Sequence, residues 1–370
     1  MSRNQGDTSN GAHYAASQLL ARGAADDVRA RRGADAMVGD FFVSDIARLD
    51  DRARAALSAA LSAHLASVEQ ALRQHASRML TTDGQAIAAA LLADGPLRVE
   101  PVLRFTGLLQ SGMLVRELAA RVRQEIIDET MPPAEANADR SALLMGLADH
   151  PDALIAGRAR ALQRAVVTRR SARDAGRVPV NDVSAEIHHQ LVWQSAAALR
   201  IAFAGHDAAG TAALDRALTE AALRCLVGHD EGERVEAAAM RLVAVLDPFA
   251  EELPELAATV LRQSGTTFFC ALLAHGLGLD YDSVRDMVLD PIADRLWLVL
   301  RALSFDRPSI AHIGLALCDA DPRRDVDGFA DDIAAIMAVT PEAARGALAR
   351  TRLHPDFREA VMALAQSRPQ

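Results

Sequence analysis

The residues whose types and spacing best suit chemistry lie in Ala185-Glu186-Ile187-His188-His189-Gln190-Leu191-Val192-Trp193. On a helix, Glu186 and His189 share one face. This is the carboxylate–imidazole spacing from which helical bundles assemble di-iron sites. Such a site needs two of these pairs plus two further carboxylates. No other histidine in the chain has Glu three positions before it, so the pair is not half of a di-iron centre. A second group, Asp321, Asp325, Asp327, Asp331 and Asp332, offers carboxylates for a cation. Counted as an EF-hand loop from Asp321, the glycine position holds Val326 and the closing glutamate position holds Asp332. The pattern fails, and a solvated, helix-capping face is expected instead. No metal site is assigned. A third group is basic: Arg169, Arg170, Arg173 and Arg177 are either a solvated helix end running into a linker or a docking patch.

The familiar catalytic and cofactor fingerprints are missing from the sequence. There is no GxxxxGK[ST] phosphate cradle, no GxGxxG turn after a strand, no GxSxG nucleophile elbow and no HExxH pair. Cys225, Cys270 and Cys318 sit singly in apolar stretches, with no CxxC, so buried free thiols are expected. No catalytic residue and no cofactor is assigned.

Helices must position these groups. Leu57, Leu61, Leu65, Val68 and Leu72 recur at spacings of 4, 4, 3 and 4, which keeps them on one helix face. Asp50 and Asp51 stand where a carboxylate caps the helix start, the segment runs to about Leu80, and Asp83 is placed to cap the next helix. Strand-like alternation is absent. Trp193 and Trp297 lie in apolar helical stretches and are expected in the core. Val245-Leu246-Asp247-Pro248-Phe249-Ala250 recurs 43 residues later as Val288-Leu289-Asp290-Pro291-Ile292-Ala293. Leu92-Ala93-Asp94-Gly95-Pro96 is echoed 55 residues later by Leu147-Ala148-Asp149-His150-Pro151. The residue before proline leaves the helical region, so one helix stops, and a proline at the first helical position with Asp before it predicts an immediate restart. Asp280, Asp306 and Thr340 each precede a helix, with Val284, Ile310 and Ala344 four residues on. A period near 43 residues falls in the range of HEAT-type stacked helix pairs. The expected fold is therefore all-α: HEAT-like stacked pairs, an α-solenoid, with a less regular helical N-terminal half. The expected divisions are a disordered tail over 1–11, a helical region over 12–168, a basic linker over 169–182 and a HEAT-like region over 183–366.

Composition narrows the function classes. The chain has 370 residues, half of them hydrophobic and only 4% aromatic, and every basic residue is arginine. Disorder, disulfide scaffolds and collagen-like classes do not fit those figures. The net charge of −9 is uneven: residues 1–185 carry 23 Arg against 22 acidic residues, and residues 186–370 carry 17 against 27. The second half presents the wrong field for nucleic acid and one that suits a basic protein partner. The polar first residues are not a signal peptide, and the longest apolar run, Phe268 to Leu279, is too short and too interrupted to span a bilayer. No membrane span and a cytoplasmic location are expected.

Two resemblances bear on function. Glu186-Ile187-His188-His189 is similar to the phospho-accepting box of a histidine-kinase subfamily. The positions that follow depart from that pattern, and the glycine-rich ATP lid is missing. The likeness therefore implies a phosphotransfer protein using His188 or His189, not a kinase; otherwise one ring packs against the helix of Trp193 and the other lies in solvent. AEIHHQLVWQSAAALR at 185–200, ERVEAAAMRLVAVLDP at 233–248, LLAHGLGLDYDSVRDMVLDPIADRLWLVLRAL at 272–303 and IGLALCDADPRRD at 313–325 together resemble the bacterial domain of unknown function family 2336. That resemblance implies a HEAT-like helical architecture and no particular activity. The expectation is a protein–protein interaction or regulatory scaffold. Histidine phosphotransfer and an enzyme with an unrecognised helical site are the alternatives.

Overall fold

The computed structural model describes residue 16 and residues 50–105, 109, 113–131, 142–179, 181–203 and 208–366. The tail expected over 1–11, and the start of the region expected over 12–168 apart from Ala16, lie outside the described residues. Among the described residues the chain is all-α, with seventeen α-helices and no strand. In chain order the first nine are α1 (Asp51–Thr82), α2 (Ala86–Asp94), α3 (Val99–Phe105), α4 (Met113–Thr130), α5 (Ala142–Ala148), α6 (Ala153–Asp174), α7 (Ala185–Phe203), α8 (Ala208–Val227) and α9 (Val235–Leu246). Then come α10 (Leu253–Gln263), α11 (Thr266–Leu277), α12 (Tyr281–Leu289), α13 (Asp294–Ala302), α14 (Arg307–Ala320), α15 (Val326–Ala338), α16 (Pro341–Ala347) and α17 (Pro355–Gln366). No helix among the described residues is long and apolar enough to cross a membrane. The chain forms two compact units, each discontinuous in sequence. Among the described residues, unit 1 comprises Ala16 and those within 123–162 and 239–366, and unit 2 those within 50–122 and 163–238.

Unit 2 is organised around α1. The Asp50 carboxylate accepts from the Ala53 amide at 2.6 Å, capping the helix start. Leu57, Leu61, Leu65, Val68 and Leu72 are all buried, each such leucine contributing ~1.5–3 kcal/mol over leaving it exposed. α1 packs against α2, α3, α7 and α8. Two charged residues on the same helix are also buried. Glu69 accepts from the backbone amides of Arg98 and Val99 at 2.8 and 2.9 Å, so it caps α3. Arg73 donates to the carbonyls of Leu92, Gly95 and Pro96 at 2.6–2.9 Å, so it satisfies the end of α2. Glu69 and Arg73 are themselves paired at 2.6 Å. Asp83 ends α1 rather than capping α2, because its own amide closes the last turn onto Met79, the Gly84 amide bonds the Thr81 carbonyl, and Gln85 precedes α2.

In unit 1 the repeated cap is real. The side chains of Asp280, Asp306 and Thr340 accept from Ser283, Ser309 and Ala343, three residues on in each case. Val284, Ile310 and Ala344 are fully buried behind them. The Asp-Pro corners behave differently from expectation. α9 stops at Leu246 and α12 at Leu289, but α10 and α13 start only at Leu253 and Asp294. Asp247 turns the chain with a positive φ of 36°, and Asp290 accepts from the Ile292 amide across Pro291, so each aspartate shapes the corner instead of capping a helix. Trp297 is buried and stacks on Phe329 at 4.8 Å, whereas Trp193 is only half-buried. Cys225 and Cys270 are buried, Cys318 is half-buried, and all three are free thiols. Each unit also pairs helices distant in the chain, α1 with α8 and α10 with α14, which a strictly neighbour-to-neighbour array does not do.

Gly314 of α14 lies directly under the Phe329 ring, where a β-carbon would collide with it. Gly157, in the second turn of α6, faces open space. Gly314→Ala is therefore expected to destabilise by ~1–3 kcal/mol, and Gly157→Ala to stabilise by ~0.5–1 kcal/mol. Urea denaturation midpoints test both, and equal effects of the two substitutions would contradict this packing.

Candidate functional site

The helix that carries the histidine pair divides it. In the first turns of α7, Ile187, His188, Leu191 and Val192 face inward, while Glu186 and His189 are exposed. The His188 ring stacks on His229 with centroids 4.1 Å apart and planes within 13°, and its Nε2 lies 3.3 Å from the Cys225 carbonyl oxygen. Burial, with His229 alongside, lowers the His188 pKa. The His188 ring is only 2% exposed. His189 is exposed, and its Nε2 accepts a hydrogen bond from the Trp193 indole at 3.2 Å. That bond accounts for Trp193 leaving the core: its N–H meets a partner one turn back, at the surface.

The basic patch is divided too. Residues 169–174, expected to begin a linker, complete α6, and the connection to α7 spans 175–184. Arg170, Arg173 and Arg177 are exposed. Arg169 instead enters a largely buried ion network in unit 2. It donates to Asp182 at 2.9 Å and, through Nη2, to both Glu236 oxygens at 2.9 Å. Arg121 donates to the other Asp182 oxygen at 2.6 Å, to the Asp182 carbonyl and to Glu117 at 3.1 Å. Arg234 bonds Glu117 at 2.9 Å and pairs with Glu236 at 3.6 Å. Three guanidinium groups thus balance three carboxylates. Burial alone would raise the Glu236 carboxyl, but Arg169, Arg121 and Arg234 outweigh it and hold the group far below the usual carboxylate range. Burial likewise opposes the Arg169 charge, and Glu236 and Asp182 more than restore it. Sequence reasoning missed Glu117, Arg121, Asp182, Arg234 and Glu236. The one local signal was Glu117 and Arg121 at i, i+4 spacing among the apolar residues of α4.

His64 of α1 lies close to this network. Burial first, and the Arg121 charge second, lower its pKa to about 3, so the ring is neutral. It lines a cavity of about 270 Å³ bounded by α1, α7, α8 and the 175–184 connection. His188 and Cys225 also contribute to the wall.

The acidic group of unit 1 divides as well. Asp321 is buried against Arg323 at 2.7 Å, and Asp325 caps α15 through the Gly328 amide. Asp327 and Asp331 are exposed. Among the described residues, no three His, Cys, Asp or Glu side chains gather as a metal ion would require. Compared with family models, curated proteins and solved structures, the chain matches none.

Arg169→Met leaves Asp182 and Glu236 without their shared cation and is expected to cost ~3–5 kcal/mol, while the exposed neighbour Arg170→Met stays within ~0.5 kcal/mol. Thermal or urea unfolding distinguishes them, and equal stability of the two variants would refute the network. His64 gives a pH dependence of definite sign. The unfolded chain protonates this ring near pH 6.5 and the folded chain only near 3. Stability held above that window is therefore lost as pH falls through it, by up to ~1.4 kcal/mol per pH unit. Unfolding at pH 7.5 and 5.5 should show a smaller loss for His64→Leu than for wild type.

Proposed function

We propose that the chain is a protein-interaction scaffold whose partner is basic. The observation that carries this reading is the outward face of α14 and α15. Asp319, Asp327 and Asp331 are exposed there, and so are two aliphatic side chains, Leu315 and Val326, each a little under half accessible. On one helix Leu315 and Asp319 share a face, as do Asp327 and Asp331 on the other. Exposed aliphatic side chains together with exposed carboxylates suit a partner that presents arginine or lysine beside an apolar anchor. The acidic excess of residues 186–370 adds a longer-range field that steers such a partner inward. The resemblance to the domain of unknown function family 2336, and the HEAT-like stacking it implies, belong to this same reading, since stacked helix pairs act through extended surfaces.

Combined reversal of Asp319, Asp327 and Asp331 to Arg should leave the circular dichroism unchanged and abolish recovery of a stoichiometric protein partner from native lysate. A partner recovered equally by the reversed protein, or none enriched over a helical control, overturns the proposal.

A further inference from the structure

Resting on the reading above of the acidic face as an interaction surface, we infer that its occupant is a second copy of this chain, which docks head to tail through the segment running from Arg350 into α17. That helix shows an apolar stripe to water. Phe357, Val361 and Leu364 recur at spacings of four and three, which places them on one face, and they are 58%, 47% and 71% exposed. Leu353, just ahead of the helix, is 43% exposed. The helix is held to the rest of unit 1 by a polar side chain: Arg358 donates to the Thr351 carbonyl at 3.2 Å and to the Ser283 hydroxyl at 2.9 Å. A surface helix ordinarily turns its apolar stripe to the core, so this orientation suits a contact outside the molecule.

Charge names the partner. Arg350 and Arg352, in the 3₁₀ turn before α17, are exposed and have no ion-pair partner among the described residues. Asp356 on the same segment lies 3.7 Å from the His354 ring nitrogen. Unpaired arginines beside Leu353 and Phe357 are the chemistry that the face of α14 and α15 suits. On that face Asp319, Asp327 and Asp331 are exposed and equally unpaired among the described residues. The arginines and aspartates do not satisfy one another within one chain, so both sets stay available to a neighbour. The two surfaces differ, and the contact is therefore heterologous: every copy keeps one free surface of each kind, and the assembly either closes into a ring or continues to grow. The net charge of −9 opposes the approach of two copies at long range. At physiological salt that repulsion is screened beyond ~8 Å, and the charges in contact dominate.

Light scattering on the purified whole chain, from low to high micromolar concentration, tests this directly. The mean mass of the wild type should rise with concentration past that of two chains. Reversal of Asp319, Asp327 and Asp331 to Arg, or of Arg350 and Arg352 to Glu, should each hold the chain monomeric with unchanged circular dichroism. Mixing the two variants sets intact arginines against intact aspartates and should restore assembly, which misfolded variants would not do. A chain carrying both reversals has exchanged its charges and should assemble again. A wild type that stays monomeric overturns self-docking alone, since the acidic face is then judged by the lysate experiment. Assembly that survives reversal of the aspartates, as pairing of α17 with α17 would, or variants that remain monomeric when mixed, also overturns it.

Discussion

The structure of unit 2 depends on a balance of charge in a place with little water. Arg121, Arg169 and Arg234 face Glu117, Asp182 and Glu236 with side chains between about a twentieth and a seventh exposed. Removing such groups from water is costly, and the attraction repays the cost only when every charge is matched and the geometry is good. The six residues come from α4, the end of α6, the 175–184 connection and the start of α9. None of these can move without leaving a buried charge unmatched. The network therefore fixes where α6 ends and how the connection runs, whatever it adds to net stability. An apolar replacement of the whole set could be as stable, but it would not specify the same arrangement, since apolar packing has no direction.

Glu69 and Arg73 apply the same logic to helix ends. α2 and α3 have nine and seven residues, too few to persist alone in water. Each leaves backbone groups unsatisfied at its ends. The carboxylate of Glu69 takes the free amides at the start of α3, and the guanidinium of Arg73 takes the carbonyls at the end of α2 and after it. Both come from α1, so one long helix holds the ends of two short ones. The Arg73 guanidinium also lies 5.0 Å from the centre of the Phe203 ring, so a charge inside an apolar helix face serves packing as well as hydrogen bonding.

Local rules were legible in the sequence and distant ones were not. Caps at Asp50, Asp280, Asp306 and Thr340, and the buried face of α1, follow from residues within four positions of one another. The all-α class follows from the same periodicity. Arg169 could not be placed this way. Beside Arg170 and Arg173 it reads as part of a solvated basic run, while its partners stand 13 and 67 residues away. The Asp-Pro corners were legible as helix ends but not as turns, because an aspartate before proline can satisfy either a helix start or its own turn, and packing beyond the corner decides. Trp193 was assigned to the core on hydrophobicity alone; its indole N–H needed a partner, and His189 at the surface supplied one.

Adjacent histidines on one helix are an efficient way to place two identical groups in opposite surroundings. Successive residues point about 100° apart on an α-helix. Once Leu191 and Val192 commit that face of α7 to the interior, His188 must follow them inward and His189 must point out. The two rings then differ in surroundings although their side chains are the same. His189 keeps its contact with water and an indole, whereas His188, stacked on His229, is held neutral by burial. His64 is driven further in the same direction, because the ion network adds positive charge to the effect of burial. A neutral imidazole can neither pair with a carboxylate nor coordinate an anion by charge; it offers one donor and one acceptor. Burial first, and the Arg121 charge second, thereby hold the His64 ring neutral beside a network contributed by other helices.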